Sequence, residues 1–268
     1  MVKLGSSHPP YPHKLRRLYW PFLALAEESQ HIVGTVAGSF DSEGKRYTIP
    51  RFSFLGPQTS VPRIRLGLFA LLHGDEPAGA VALERLLARL VDSPELATGY
   101  ELVLYPLCNP TGYEDGTRHT RAGFDLNREF WRASQQPEIH ILEEELRAQQ
   151  FHGIITLHAD DTCEGHYGYS HGQRLDDALL RPALLAAERV LPRDRRSVID
   201  GFTACEGVIT DCFKGILSCP PTQSPRAFNL IFETPALAPL EHQVSANVAA
   251  LEAILATYRG FIAYAQDL

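Results

Sequence analysis

Four polar clusters in the sequence contain residue types that bind metal ions and transfer protons. They read HGDE at 73–76, NPTGYEDG at 109–116, HADD at 158–161 and ETP at 233–235. Each cluster follows a run of mainly apolar residues, a pattern typical of the end of a buried strand. Catalytic zinc commonly takes three nitrogen or oxygen ligands and keeps one position for water. The clusters therefore supply the ligand types that a catalytic zinc site needs.

A specific ligand set follows from the spacing. His73 and Glu76 are three residues apart across a predicted strand-to-helix turn, so both side chains can face one ion. His158, from a neighbouring strand end, can supply the third ligand. Glu233 then remains as a carboxylate close to the bound water. A zinc-bound water is acidified, and a nearby carboxylate can take its proton and deliver it to a leaving amine.

Each of these residues also has a structural explanation when it is considered alone. The pattern His-x-x-Glu is frequent by chance, and Asp75 or Glu76 could cap the following helix. His158 could be a strand-end histidine with an ordinary hydrogen bond. Glu233, before Thr234-Pro235, could be a helix-entry residue. Local patterns leave both readings open.

The elements that must position these clusters alternate along the chain. Alternating strands and helices favour an α/β fold with a mixed, mostly parallel central sheet and helices on both faces. In open α/β sheets, ligands bind at the carboxyl ends of the strands, so the clusters should meet at one edge. The predicted strands are 32–39, 46–56, 64–72, 101–107, 153–158 and 228–233, and the predicted helices are 78–91, 137–150, 174–190 and 244–266.

The domain organisation is simple. The 268 residues suit a single domain over 1–268, with residues 1–30 as a Pro-rich N-terminal arm that leads into a short helix. Residues 200–227 lack clear periodicity and are predicted to form a long loop near the site.

Composition excludes several classes of protein. The net charge of −7 argues against a general nucleic-acid surface, and no apolar run reaches the roughly 18 residues of a membrane span. The short segment YWPFLALA contains Pro21 and lacks the features of a signal peptide. Five scattered cysteines make a disulfide framework improbable and favour the cytoplasm. No nucleic-acid or membrane partner is expected, and the oligomeric state is not predicted.

The segment RHTRAGFDLNREF, residues 118–130, makes the interpretation specific. The order H-x-x-E, N-P-x-G-Y, G-x-D-L-N-R-x-F, a strand ending in His and a strand ending in Glu resembles the zinc carboxypeptidases of the carboxypeptidase A type. Their relatives include succinylglutamate desuccinylase, aspartoacylase and the murein-peptide amidases. The resemblance spans roughly residues 48–240. It implies the three-layer sandwich of the zinc carboxypeptidases, a phosphorylase/hydrolase-like fold.

The resemblance also implies roles for individual residues. One zinc ion per chain would be bound by His73, Glu76 and His158. Asn127 and Arg128 would hold the substrate's free carboxylate, for which a bidentate guanidinium is well suited. Glu233 would be the general base and acid.

A second arginine should stabilise the oxyanion of the scissile carbonyl, as the resemblance implies. Arg121 is the first choice because of its interval before the DLNR block, and Arg118 is the second choice. Asp125 is expected to act structurally, by fixing its loop or by accepting a hydrogen bond from a zinc-ligand histidine.

Two departures from the family pattern bear on the substrate. No tyrosine occurs between Tyr169 and Glu233, so the residue that closes the cleft in digestive carboxypeptidases has no counterpart at the usual interval. Only 35 residues follow Glu233, which favours a compact peptidase core over the aspartoacylase branch with its additional β-rich domain.

The predicted function is zinc-dependent hydrolysis of an amide bond next to a free carboxylate, in a small peptide, by a carboxypeptidase or peptide amidase. The alternative is an N-acyl-amino-acid deacylase of the succinylglutamate desuccinylase/aspartoacylase type. A second alternative is an inactive binding homologue.

Overall fold

A ten-stranded mixed sheet with helices on both faces forms the centre of the protein. The computed structural model describes residues 13–170 and 174–266, so residues 1–12 of the predicted arm lie outside the described residues. The strands are β1 Ile32–Ser42, β2 Lys45–Leu55, β3 Ile64–Ala70, β4 Tyr100–Tyr105, β5 Gly153–Asp160, β6 Tyr167–Tyr169, β7 Val198–Ile199, β8 Phe202–Cys205, β9 Val208–Ile209 and β10 Phe228–Pro235. The helices are α1 His13–Glu28, α2 Ala78–Asp92, α3 Pro110–Asp115, α4 Pro137–Gln149, α5 Arg174–Ala187 and α6 Leu240–Gln266.

The strand order across the sheet is β1-β2-β4-β3-β5-β10-β6-β9-β8-β7. The central strands β4, β3, β5 and β10 run parallel, whereas β1 and β2 on one side and β6 beside β10 on the other pair antiparallel. The predicted α/β fold with a mixed sheet is confirmed, and its parallel part is the centre. This centre is covered on both faces, which explains why its strands read as nearly continuous apolar runs.

Register in the centre of the sheet brings the expected clusters together. In the parallel pair β5–β10, His158 lies directly opposite Glu233. Strand β3 pairs with β5 on its other side and ends three residues before His73. Because parallel strands end at the same edge, three of the four polar clusters meet through backbone pairing alone.

Helices bury apolar side chains against each face of the sheet. On one face α1, α2, α5 and α6 form the larger core, with residues such as Leu83, Leu180 and Leu251 fully or almost fully buried. On the other face α4 packs against the sheet through Ile139 and its neighbours. Within the described ranges, no helix combines the length and the apolar character that crossing a bilayer requires.

The segment 200–227 is more regular than its sequence indicates. It contains β8 and β9, which extend the sheet beyond β6, so the predicted long loop is wrong over residues 202–209. Strands of two to four residues are too short to show periodicity. A signal was nevertheless present in the dipeptide Asp200-Gly201, whose two positive φ angles, 50° and 79°, make the two-residue turn between β7 and β8.

A buried carboxyl group on α5 gives a prediction for stability. Asp176 is fully buried, and burial raises its pKa to about 7, although the backbone N–H of Asn229 opposes this rise. Because the unfolded chain releases this proton near pH 4, the folded state loses stability as pH rises from about 4 to 7. We expect Asp176→Asn to match the wild type near pH 4 and to be more stable at pH 8 by about 2 to 4 kcal/mol. Urea unfolding at both pH values measures this, and a constant difference between the two proteins would contradict it.

Candidate metal centre

Two strand ends and one turn place the three predicted metal ligands in contact. His73 and Glu76 lie in the turn between β3 and α2, and His158 lies near the end of β5. All three are buried, with exposed fractions of 3%, 7% and 2%. Among the described residues, these three side chains bring their possible ligand atoms within 4.8 Å of one another, which is close enough for all three to bind one metal ion.

The distances between the donor atoms suit a small cation. His73 Nδ1 lies 2.7 Å from Glu76 Oε1, His158 Nδ1 lies 3.0 Å from Glu76 Oε2, and the two Nδ1 atoms are 3.2 Å apart. Tetrahedral ligands at about 2.0–2.1 Å from zinc are separated by roughly 3.3 Å from one another. Two imidazole nitrogens and one carboxylate at nearly this separation fit a zinc ion.

Asp125, which lies behind the predicted metal ligands, fixes the orientation of the His73 ring. His73 Nε2 lies 3.1 Å from Asp125 Oδ1, and Arg118 donates to Asp125 Oδ2 at 3.0 Å. A proton on Nε2 that is donated to Asp125 leaves Nδ1 of His73 free to bind metal. Asp125 therefore makes the supporting contact expected of it.

Electrostatics in the centre favour a bound cation. Burial alone would raise the pKa of Glu76, but His73 and His158 outweigh it and lower this pKa to about 2. Burial lowers the pKa of His158, against the attraction of Glu76. Burial alone would lower the pKa of His73, but Glu76 and Asp125 outweigh it and raise this pKa. Glu76 as an anion and His158 as a neutral ring are thus in the protonation states of metal ligands.

Gly74 lies between His73 and Glu76 in the turn, where there is no room for a side chain. A Cβ at Gly74 would lie 2.0 Å from the carbonyl carbon of Gly112, at α3. The turn packs directly on the backbone of α3, and Asn109 Nδ2 donates to the carbonyl of Leu72 at 3.3 Å to hold it there. Close approach of two backbones, rather than a left-handed turn, therefore calls for glycine at this position.

Glu233 lines the same cleft as the metal ligands. The cleft has a volume of about 340 Å³, and His73, Glu76 and Glu233 are among the residues that line it. Burial raises the pKa of Glu233 well above its usual value, and the negative charges of Glu76, Asp160 and Asp200 add to this effect. A carboxylate with a raised pKa is a stronger base, as proton transfer near neutral pH requires.

The structure separates the two arginines that sequence spacing could not distinguish. Arg118 lines the cleft, with Nη1 3.5 Å from Glu76 Oε1. Arg121 lies outside the cleft, where its guanidinium is 2.9 Å from Glu114 Oε2 and 2.8 Å from Asp115 Oδ2. The first choice for the oxyanion arginine, Arg121, is therefore not at the cleft, whereas the second choice, Arg118, lines it. Spacing failed here because both residues lie in an irregular loop, where chain position does not determine direction.

Different consequences are expected when these arginines are removed. We expect Arg118→Ala to lower kcat/KM by about 10²- to 10³-fold, since an oxyanion donor acts mainly in the transition state. Arg121→Ala should instead lower the free energy of unfolding by about 1 to 2 kcal/mol, because Glu114 and Asp115 lose their partner. Steady-state kinetics and thermal unfolding of both variants test this. A folded Arg121→Ala enzyme with the larger kinetic defect would contradict the assignment.

Asn127 and Arg128 also reach the cleft. The backbone N–H of Leu217 donates to Asn127 Oδ1 at 2.9 Å, which places the amide nitrogen 3.4 Å from His158 Nε2. The Arg128 guanidinium lies 4.0 Å from the ring centre of Phe213 and donates to the Asn127 carbonyl at 2.8 Å. Arg128 forms no ion pair within 4.0 Å among the described residues, although its charge helps to lower the pKa of Asp125, so its guanidinium could still bind an anion in the cleft.

Sequence reasoning did not identify one wall of the cleft. Tyr167 and Tyr169 on β6 line it, and their hydroxyls donate to Asp160 Oδ2 at 2.9 Å and to Asp200 Oδ2 at 2.6 Å. The two tyrosines alternate along a strand that pairs with β10, so both face the same side. Their pattern YGY was visible, but the position of β6 beside Glu233 could not be read from it.

Comparisons with known proteins agree with this geometry. The succinylglutamate desuccinylase/aspartoacylase catalytic domain family matches residues 62–188. No curated protein matches the chain.

Solved structures share the fold across most of the chain. A protein of Shewanella amazonensis provisionally assigned as a metallopeptidase superposes with a TM-score of 0.73 at 24% identity, covering 90% of this chain and 91% of its own. A metallo-carboxypeptidase of Burkholderia cenocepacia gives 0.72 at 16% identity, covering 94% and 70%. A metallo-carboxypeptidase of Pseudomonas aeruginosa, solved with (2-guanidinoethylmercapto)succinic acid, gives 0.67 at 17% identity, covering 92% and 69%. At these identities the likeness establishes the fold.

Fold and site together define an α/β protein of the metallocarboxypeptidase fold with a His-Glu-His centre at one edge of its sheet. The family match over residues 62–188 and the shared fold agree with the resemblance to the zinc carboxypeptidases and their relatives that the sequence motifs carry.

Proposed function

We propose that this protein is a zinc-dependent hydrolase that cleaves an amide bond next to a free carboxylate, as a carboxypeptidase or a peptide amidase. One observation carries the proposal. His73 and Glu76 of the His73-Glu76-His158 centre line a single cleft of about 340 Å³, together with Glu233, whose pKa is raised, and two arginines. A cleft of this size accommodates a short peptide.

The three ligands would hold one zinc ion per chain and leave a position open to solvent in the cleft. When bound, zinc would supply Lewis acidity toward water and toward the scissile carbonyl. Asp125 would keep the His73 ring in the orientation that binding needs.

Glu233 would carry the proton. As a carboxylate it would accept a proton from the attacking water, and as a carboxylic acid it would deliver this proton to the nitrogen of the departing amine. Burial and the neighbouring carboxylates raise its pKa, which strengthens Glu233 as a base toward the attacking water.

Two arginines and one amide would position the substrate. Arg128 and Asn127 would bind the free carboxylate, and the guanidinium of Arg128 lies over the ring of Phe213, 4.0 Å from its centre. Arg118 would donate to the carbonyl oxygen as negative charge develops on it. The ion pair of Arg118 with Asp125, at 3.0 Å, keeps the guanidinium beside the metal centre.

The acyl side of the substrate distinguishes the two enzymatic candidates. The family match at residues 62–188 favours an N-acyl-amino-acid deacylase as the second candidate. The cleft, however, is lined by Asp160, Asp161 and Asp200 in addition to Glu76 and Glu233. These carboxylates would repel an anionic acyl group such as succinyl, and a neutral or cationic aminoacyl group fits better. A peptide substrate is therefore the first choice.

A substrate panel tests the proposal. The zinc-loaded protein should hydrolyse dipeptides and tripeptides with a free C-terminus faster than N-succinyl or N-acetyl amino acids. Hydrolysis of the acyl amino acids alone would favour the deacylase. One equivalent of bound zinc with no hydrolysis of either series would favour a binding homologue without activity.

The state of the cysteines is the observation that bears on the cellular location. All five are free, and Cys108, Cys163 and Cys219 are buried as thiols. This pattern is compatible with a reducing compartment, so we retain the cytoplasm as the proposed location.

A further inference from the structure

The fourth polar cluster of the sequence, NPTGYEDG at 109–116, is not part of the proposed ligand set. Asn109 directly precedes α3, is fully buried and is not among the residues that line the cleft. Its side chain nevertheless contacts two segments that do reach the cleft. One is the turn that carries His73, and the other is the loop that carries Arg118.

Both ends of the Asn109 side-chain amide have hydrogen-bond partners. Nδ2 donates to the carbonyl oxygens of Leu72 and Arg118, each at 3.3 Å. Oδ1 accepts from the backbone N–H of Gly112 at 2.9 Å and from the hydroxyl of Thr111 at 3.3 Å. An amide side chain offers two N–H donors and one acceptor oxygen, whereas a carboxylate has no donor and a hydroxyl has one. These contacts therefore use the whole hydrogen-bonding capacity of an asparagine.

Main-chain hydrogen bonds join the same two segments. The carbonyl oxygen of Arg118 also accepts from the backbone N–H of Gly74, at 3.3 Å, and the backbone N–H of Asn109 donates to Leu71 at 2.8 Å. The Arg118 carbonyl thus receives one bond from the turn and one from Asn109. The turn, Asn109 and the loop form a closed set of hydrogen bonds next to His73.

The turn needs this support because part of its backbone is strained. Leu71, two residues before His73, has a φ of +52°, in the left-handed region that residues other than glycine rarely adopt. Asn109 binds the two carbonyls at this point, that of Leu71 through its main chain and that of Leu72 through its side chain. Strained backbone persists where surrounding contacts hold it, and these contacts hold the turn that directs His73.

Glycine at position 112 leaves room for the amide. A Cβ at Gly112 would lie 2.5 Å from Asn109 Nδ2 and 2.5 Å from the carbonyl oxygen of His119. A Cβ at Gly74 would in turn lie 2.0 Å from the carbonyl carbon of Gly112. The two glycines therefore let three backbone segments close around one side chain.

We propose that Asn109 is a positioning residue, whose side-chain amide holds the turn of His73 and the loop of Arg118 in one fixed arrangement. The inference rests on the proposed function, in which His73 binds zinc and Arg118 donates to the developing oxyanion. Asn109 contacts neither group directly and acts only through the two carbonyls that it binds. Such a role is effective because a displacement of about 1 Å near the reacting atoms can lower the rate by about 10²-fold.

Zinc binding by an Asn109→Ser protein tests the inference without requiring a substrate. Serine keeps an oxygen that can cap α3, but it cannot donate to both carbonyls. We expect the variant to bind Zn²⁺ about 10- to 100-fold more weakly than the wild type, the usual effect of losing a contact that supports a metal ligand. Competition with a chromogenic chelator measures this affinity. An unchanged affinity for Zn²⁺ would overturn the inference.

Thr111→Val is the matched control. The buried Thr111 hydroxyl lies 3.3 Å from Asn109 Oδ1 and 3.4 Å from Glu138 Oε1, so its loss also weakens the start of α3. Both donations from Nδ2 to the carbonyls remain in place. The control should lose stability in thermal unfolding of the metal-free protein and keep the zinc affinity of the wild type. An equal loss of zinc affinity in the two variants would indicate a general structural role and would overturn the inference.

Kinetics at saturating zinc test the link to Arg118. In the wild type, Arg118→Ala should lower kcat/KM by about 10²- to 10³-fold. In the Asn109→Ser background, we expect the same substitution to cost at most about tenfold, because a displaced guanidinium contributes little and the two effects are not additive. Equal factors in both backgrounds would contradict the link. If the protein binds zinc and hydrolyses no substrate, the proposed function fails, and the zinc affinities alone decide the inference.

Hydrogen exchange on the wild-type protein provides a test even if Asn109→Ser does not fold. Because Asn109 joins the two segments, Zn²⁺ should slow amide exchange in residues 109–118 as well as in the turn, residues 71–76. Slower exchange in the turn alone would overturn the inference.

Discussion

Replacing Glu233 with glutamine is expected to lower kcat/KM for the best peptide substrate by about 10²- to 10⁴-fold, the usual contribution of a general acid–base group. Glutamine has nearly the same shape as glutamate but cannot accept and return a proton. Glu233 is not one of the proposed metal ligands, which are His73, Glu76 and His158. The variant should therefore keep its zinc and lose its turnover.

Kinetics and metal analysis on the same preparation measure both effects. Glu144→Gln is a suitable control, because Glu144 is an exposed glutamate on α4 and lies outside the cleft. It should have wild-type kinetics. A Glu233→Gln enzyme with undiminished kcat/KM would exclude Glu233 as the proton carrier, whatever the identity of the substrate.

Removal of the metal is expected to have the largest effect. Chelation should abolish hydrolysis, and added Zn²⁺ should restore it. His158→Ala should bind zinc weakly and remain inactive at zinc concentrations that saturate the wild type, because a site with two protein ligands loses much of its affinity. Zinc should also raise the Tm of the wild type, since binding to the folded state alone stabilises it.

Elemental analysis, activity and thermal unfolding measure these effects. His119→Ala provides the control, because His119 is exposed and is not part of the ligand group. It should retain one zinc per chain and full activity. Unchanged activity after complete removal of metal would refute the zinc mechanism, and zinc retained by His158→Ala would refute the ligand assignment.

Much of the candidate site followed from local pattern. Apolar runs predicted the central strands β3, β5 and β10, and parallel strands that end together bring their following residues to one edge. His73, Glu76, His158 and Glu233 could therefore be grouped before any tertiary contact was known. Their grouping depended on backbone regularity, which sequence periodicity reports well.

In irregular segments, the sequence did not predict which way a side chain points. Arg118 and Arg121 are three residues apart in one loop, yet one lines the cleft and the other binds Glu114 and Asp115 on the far side. No periodicity relates position to direction in such a loop. The choice between the arginines depended on which carboxylates the fold placed beside each of them.

From the sequence alone, the α/β class could be predicted, as could the grouping of His73, Glu76 and His158 with Glu233, because these follow from strands that end at a common edge. Tertiary structure alone decided the boundary and charge of the cleft. Asp200 reaches it from a short hairpin, and Arg118 reaches it from the loop that Asn109 binds. Such sets form through long-range packing of short strands and loops, for which local sequence carries no periodic signal.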